Sequence, residues 1–157
     1  MLGVSGYLPV GSTVVSVNDV HEHFVKPFPT SKTRQRIFDQ WLVHRAALAR
    51  IITFDRQWVD GSYATAKTDP GDIDVVTFLD GDAVNSLPAG DQAILRDLAS
   101  GHSTRDRWGV DSFVVLTYPR EHAQYRFAKR AEGTWQITWT SVKGNANLAK
   151  GFLEVRS

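Results

Sequence analysis

The stretch that most constrains this chain is DIDVVTFL, residues 72–79, in which two aspartates lead into an unbroken run of β-branched, aromatic and aliphatic side chains. Such a run reads as a strand buried inside a sheet, and a buried strand needs neighbours on either side. QWVDGS supplies a short strand that ends in a turn, VDSFVVLTY reads as a third strand, and GFLEVR as a short closing one.

Between these lie helical patterns. In SVNDVHEHF, Ser16 and Asp19 have the spacing of a capping box. Thr30 or Ser31 caps a longer helix from about residue 32 to 52, with Ile37, Phe38, Trp41, Leu42, Leu48, Ile51 and Ile52 at three- and four-residue spacing. Its opposite face carries Arg34, Arg36, Arg45 and Arg50 and reads as a solvated surface, or as one that meets RNA or an acidic partner. AGDQAILRDLAS is helical, YATAK has room for about two turns of helix, and the segment before Ser16 is expected to be irregular. TWQITW alternates like a strand, yet Ala128, Ala131, Trp135 and Trp139 continue the helical stripe of HAQYRFAKR. Helix is the reading adopted there, with both tryptophans in the core. KGNAN is expected to turn. The expected fold is α+β: a small mixed β-sheet with helices packed on one face, forming a single domain over 1–157 with an N-terminal arm.

Composition narrows the setting. The 157 residues suffice for one core. Eighteen basic side chains against 17 acidic ones create no global field towards nucleic acid or membrane, and the absence of cysteine removes disulfides and thiolate metal sites. No apolar run approaches the roughly 18 residues needed to cross a bilayer, and the first residues lack the pattern of a signal peptide. A cytoplasmic protein without membrane contact is expected.

Asp72 and Asp74 stand two apart at the head of the buried run, so on one strand both carboxylates project from the same face and can reach one metal cluster. Carboxylates that hold two divalent cations can activate an attacking hydroxyl and stabilise a leaving pyrophosphate; magnesium suits this role because it shares oxygen ligands with phosphates. Asp111, near the start of the third strand, is placed to supply a third carboxylate. Nine residues separate Asp72 from the Gly61-Ser62 turn, where glycine admits a phosphate close to the backbone, serine offers a hydroxyl and a following helix would present free N–H groups. His21 and His23 do not form such a site, because residues two apart on a helix diverge.

Gly-Ser, nine residues, then DIDV resembles the signature of the DNA polymerase β-like nucleotidyltransferase superfamily. LPVG, WVDGSYATAKTDPGDIDVV, DSFVV and AKGFLEV together resemble a little-characterised bacterial nucleotidyltransferase-like family of similar length, across nearly the whole chain. Asp60 departs from the hydrophobic residue that commonly precedes the glycine in the broad superfamily, although the closer family often has aspartate there. The resemblance implies that Asp72 and Asp74 ligate two Mg2+ or Mn2+ ions, while Asp111 ligates one of them and receives the acceptor's proton. Gly61 and Ser62 would hold the β- and γ-phosphates; Lys67 reads either as a cation that neutralises triphosphate charge or as a solvated surface lysine. The implied reaction is attack of an acceptor hydroxyl, on RNA, a protein or a small molecule, on the α-phosphate of a nucleoside triphosphate. A homodimer or a cognate partner protein could complete the acceptor site. Two other readings stay open: a nucleotide-binding interaction protein of toxin-antitoxin or phage-defence type on the same fold, and a metal-dependent phosphohydrolase.

Overall fold

The computed structural model describes residues 1–156. Its strands and helices follow in the order β1 (Gly11–Val15), α1 (Val17–Phe24), α2 (Arg34–Ala49), β2 (Arg56–Asp60), β3 (Asp74–Asp80), α3 (Gly81–Asn85), α4 (Ala89–Leu98), α5 (Arg105–Trp108), β4 (Asp111–Thr117), α6 (Tyr125–Thr140), β5 (Ser141–Val142), β6 (Asn145–Ala149) and β7 (Gly151–Arg156). The described residues form a mixed five-stranded sheet in the order β1-β7-β2-β3-β4, with β5 and β6 as a separate hairpin. The pairs β1/β7 and β3/β4 are parallel, whereas β2 runs antiparallel to both β3 and β7. The fold class is therefore the expected α+β with a mixed sheet.

Strand alternation sorts the core. Val59, Val75, Leu153 and Val155 point to one face, where Phe24 of α1 and Ile37, Phe38 and Trp41 of α2 cover them. Leu48 of α2 joins Leu95 and Leu98 of α4 over Leu79 on the same side. The intervening residues Trp58, Val76, Phe78, Val115 and Phe152 point the other way and pack against Trp139 of α6. Helices thus cover both faces rather than the expected one, because β3 is apolar on both sides.

Several expectations are corrected. GSTVV is a strand, not irregular chain; its partner is β7, at the far end of the sequence, so no local pattern announces it. YATAK does not form two helical turns. After one 3-10 turn, Ser62–Ala64, Thr65 is extended. The reason is Arg34, which belongs to no solvated basic face: it is fully buried. Its Nε and both Nη atoms donate to the carbonyls of Phe24, Tyr63, Thr65 and Lys67 at 2.6–3.2 Å, drawing away the oxygens that an α-helix over YATAK would use. Arg45 is also half-buried and donates to Gln57, leaving Arg36 and Arg50 exposed. The long helix spans Arg34–Ala49, shorter at both ends than expected, with Ser31 Oγ accepting from the Arg34 N–H at 3.1 Å. Ser16 and Asp19 do form the capping box of α1, and Tyr125–Thr140 is a helix. None of the described helices is long and apolar enough to cross a membrane.

Candidate functional site

Register places three acids in a row. Asp60 pairs with Asp74 across β2/β3, and Asp74 with Asp111 across β3/β4. Partners in register share a face, so all three carboxylates emerge at the same end of adjacent strands, on the side covered by α6. Asp72 lies just before β3 rather than within it, because pairing with β2 and β4 begins only at Asp74. Its side chain still joins the group: Arg105 Nη2 lies 2.7 Å from Asp72 Oδ2 and 2.5 Å from Asp111 Oδ2. Thus the structure brings Asp72, Asp74 and Asp111 together.

Their electrostatic situations differ. Asp111 is fully buried, and burial alone would raise its pKa. Arg105 grips it through Nε at 2.7 Å and through Nη2, and His102 Nδ1 lies 2.5 Å from Oδ2; together they hold the carboxyl below the usual range. Asp74 has the opposite fate. Burial, reinforced by the charges of Asp72, Asp111 and Asp60, pushes it up to about 6, and no side chain among the described residues hydrogen-bonds it. Asp60 is also pushed up to about 6 by burial, against the pull of Lys150, whose ammonium contacts both of its oxygens.

The Gly61-Ser62 turn lies directly beside this row. Gly61 has φ +80°, which favours glycine, and a Cβ there would fall 2.2 Å from Asp74 Oδ2, so any other residue would also force that carboxylate to move. The turn, Asp60, Asp74 and His102 line a cavity of about 930 Å³. Phe113, Trp135 and Trp139 form its apolar wall, with Phe113 and Trp135 ring centroids 4.7 Å apart. Trp139 is core, as expected, but Trp135 is only partly buried and faces the cavity. Lys67 lies on the rim in a loop, its side chain exposed.

The terminal motifs close the cavity. Gly6 carbonyl accepts from Ala66 N–H at 2.8 Å, and Leu8 carbonyl from Gly151 N–H at 3.0 Å. A Cβ at Gly151 would lie 1.8 Å from the Pro9 carbonyl oxygen. LPVG and AKGF therefore interlock, and the lysine before Gly151 reaches the aspartate before Gly61.

His102, Arg105 and Lys150 belong to the site although no local sequence signal marks them. The GHSTR segment has no motif signal; only the cross-sheet bridge between Gly101 and Ser112 brings His102 and Arg105 onto Asp111. Asp106, near in sequence, is exposed and outside the cluster. Donor atoms of Asp74, His102 and Asp111 all lie within 4.8 Å of one another, a spacing that can hold one cation. Asp74, the member of the row without a cationic partner, and the carboxylate oxygens beside it fit a hard divalent ion. Imidazole is a softer donor than magnesium favours, so Asp74 and Asp111 are the better ligands, with Asp72 alongside and His102 orienting Asp111.

The chain belongs to a family of unknown function, DUF6932, whose model matches residues 3–156. No curated protein and no solved structure matches it.

Proposed function

We propose that the protein is a metal-dependent nucleotidyltransferase that moves a nucleoside monophosphate from a nucleoside triphosphate to an acceptor hydroxyl. The observation that carries this reading is Asp74, which no side chain among the described residues hydrogen-bonds, set between two further carboxylates and against a glycine turn that lines the cavity. The resemblance of the Gly-Ser and Asp-x-Asp motifs to nucleotidyltransferases supports it independently.

Asp72, Asp74 and Asp111 would hold two Mg2+ or Mn2+ ions. Bound there, such ions supply charge neutralisation for the triphosphate, a more acidic acceptor hydroxyl and stabilisation of the leaving pyrophosphate. The chain's own residues do the rest. Gly61 and Ser62 bring backbone and a hydroxyl to the β- and γ-phosphates. Phe113 and Trp135, their rings tilted 53° to one another, line the cavity with apolar faces, either of which a base can stack on. Asp111 is the proton acceptor implied by the resemblance, and Arg105 must release it first, because a carboxylate held by a guanidinium is a poor base. The acceptor hydroxyl forms a bond to the α-phosphorus as the bridging oxygen leaves with pyrophosphate, and the hydroxyl proton passes to the carboxylate.

The test is transfer from α-phosphate-labelled triphosphates, with Mg2+ or Mn2+, to the protein itself, to RNA and to a lysate depleted of metal. Label retained on an acceptor with the wild type and lost with Asp74→Asn supports the reading. No transfer and no nucleotide binding overturns it in favour of an interaction protein.

A further inference from the structure

Asp60 and Lys150 lie 90 residues apart and belong to motifs at opposite ends of the cavity-forming sequence, yet they meet in a buried pair on the cavity wall. The lysine side chain is 12% exposed and the aspartate's 5%. A buried ion pair is weak evidence of a stabilising role, since two desolvated charges gain little over packed apolar residues. Its position offers another reason.

Lys150 is held from several directions. Its own N–H donates to the Thr140 carbonyl at 3.0 Å, and that of Gly151 donates to Leu8 at 3.0 Å. Gly151 in turn admits the Pro9 carbonyl where no side chain would fit. An ammonium carries three N–H donors, and Asp60 Oδ1 and Oδ2 accept from this one. Asp60 is the residue before Gly61, so the ammonium stands next to the turn. Lys67 and Lys143 also border the cavity, but both are exposed and must give up side-chain freedom to meet a ligand. Lys150 is already fixed in place.

We infer that Lys150, anchored by Asp60, is the cation that receives the terminal phosphates of a polyphosphate ligand lying on the Gly61-Ser62 turn. This rests on the nucleotidyl-transfer reading and deepens it. No bond is made or broken by the lysine: it holds the anionic end of the ligand and neutralises charge that collects on the leaving group. Asp60 sets its position and, as a nearby negative charge, opposes the same phosphates.

Calorimetric titration of the full chain with magnesium ATP and with magnesium tripolyphosphate tests this. Wild type binds both, and Lys150→Met weakens both about tenfold or more, as expected for loss of a charge-assisted contact. Lys150→Arg retains most of the affinity, and Asp60→Asn tightens it. Should Lys150→Met fail to fold around an unpaired Asp60, the double variant Asp60→Asn/Lys150→Met removes both charges at nearly constant volume and binds both probes about tenfold or more weakly than Asp60→Asn alone. A folded Lys150→Met that binds the two probes as wild type does, or a double variant that binds them as Asp60→Asn does, overturns the inference and leaves nucleotidyl transfer standing. A wild type that binds neither probe overturns both.

Discussion

Asp74 occupies the space that any side chain at Gly61 would need, its Oδ2 only 2.2 Å from where the Cβ would stand. The turn and the central carboxylate are thus one construction. Gly61→Ala adds the cost of φ +80°, ψ −165° for an L residue to that collision. A loss of about 1–3 kcal/mol from the backbone alone is expected in urea unfolding. Gly61→Ala/Asp74→Ala should lose less than the sum of the two single changes, since the second relieves the first. Strict additivity would show that the two side-chain positions do not compete.

Asp74 also makes stability depend on pH. Burial and three neighbouring carboxylates raise it from the ordinary range near 4 to about 6. The folded chain therefore binds this proton more tightly than the unfolded chain. The stabilising contribution is fully present below about pH 4 and is lost as pH rises through about 6. Asn cannot ionise, so Asp74→Asn should match wild type at pH 4 and exceed it above pH 6 by about 1–3 kcal/mol without added metal. Asp60 titrates in the same window and its charge acts on Asp74, so the difference between the two proteins reports Asp74 together with its coupling to Asp60. Thermal melts from pH 4 to 8 check this, and a constant difference across that range would contradict the assignment.

Arg34 is the buried cation behind the site. All its N–H groups face the Phe24, Tyr63, Thr65 and Lys67 carbonyls, and three of these four belong to the segment that follows Ser62. Lysine has three donors in a different geometry and cannot reproduce that fork. Arg34→Lys should cost about 3 kcal/mol or more in chemical denaturation, through unpaired buried carbonyls. A cost below about 1 kcal/mol would mean that the 63–67 segment keeps its shape without the fork.

These residues show where sequence was legible. The capping box of Ser16 and Asp19, the core stripe of α2 and the β-branched run of β3 are local patterns; the box formed as read, while α2 stops before Ile51 and Ile52 and β3 begins at Asp74 instead of Asp72. Asp111 could be singled out because strand enrichment located β4 and left one acid at its head. What escaped was set by distant contacts. β1 takes its extended form from pairing with β7, and YATAK gives up helical bonds to a guanidinium some 30 residues earlier. Arg34 looked solvent-facing because its charge said so, while its environment is carbonyl oxygen. Asp60 stands out in the sequence only as a departure from a motif; that it pairs with Lys150 depends on the fold that brings the two segments together.

Arg105 competes with any cation for the same oxygens. It bridges Asp72 and Asp111, and its own pKa is raised by the Asp111 hydrogen bonds and the surrounding carboxylates. An ion entering the site must displace that guanidinium. Arg105→Gln removes the competitor and leaves a fully buried Asp111 with His102 as its remaining partner. Two opposed effects follow. Without metal the variant should be less stable than wild type, by about 1–3 kcal/mol for the weakened buried carboxylate. With Mn2+ it should bind about tenfold more tightly and recover more in melting temperature than wild type does, because binding to the folded state adds stability in proportion to the logarithm of affinity. Calorimetry with Mn2+ alone and melts at matched ion concentrations measure both quantities. If the variant loses stability yet binds Mn2+ no better, or worse, Arg105 is part of the working site rather than a competitor for it, and Asp72 and Asp111 serve the guanidinium instead of a metal.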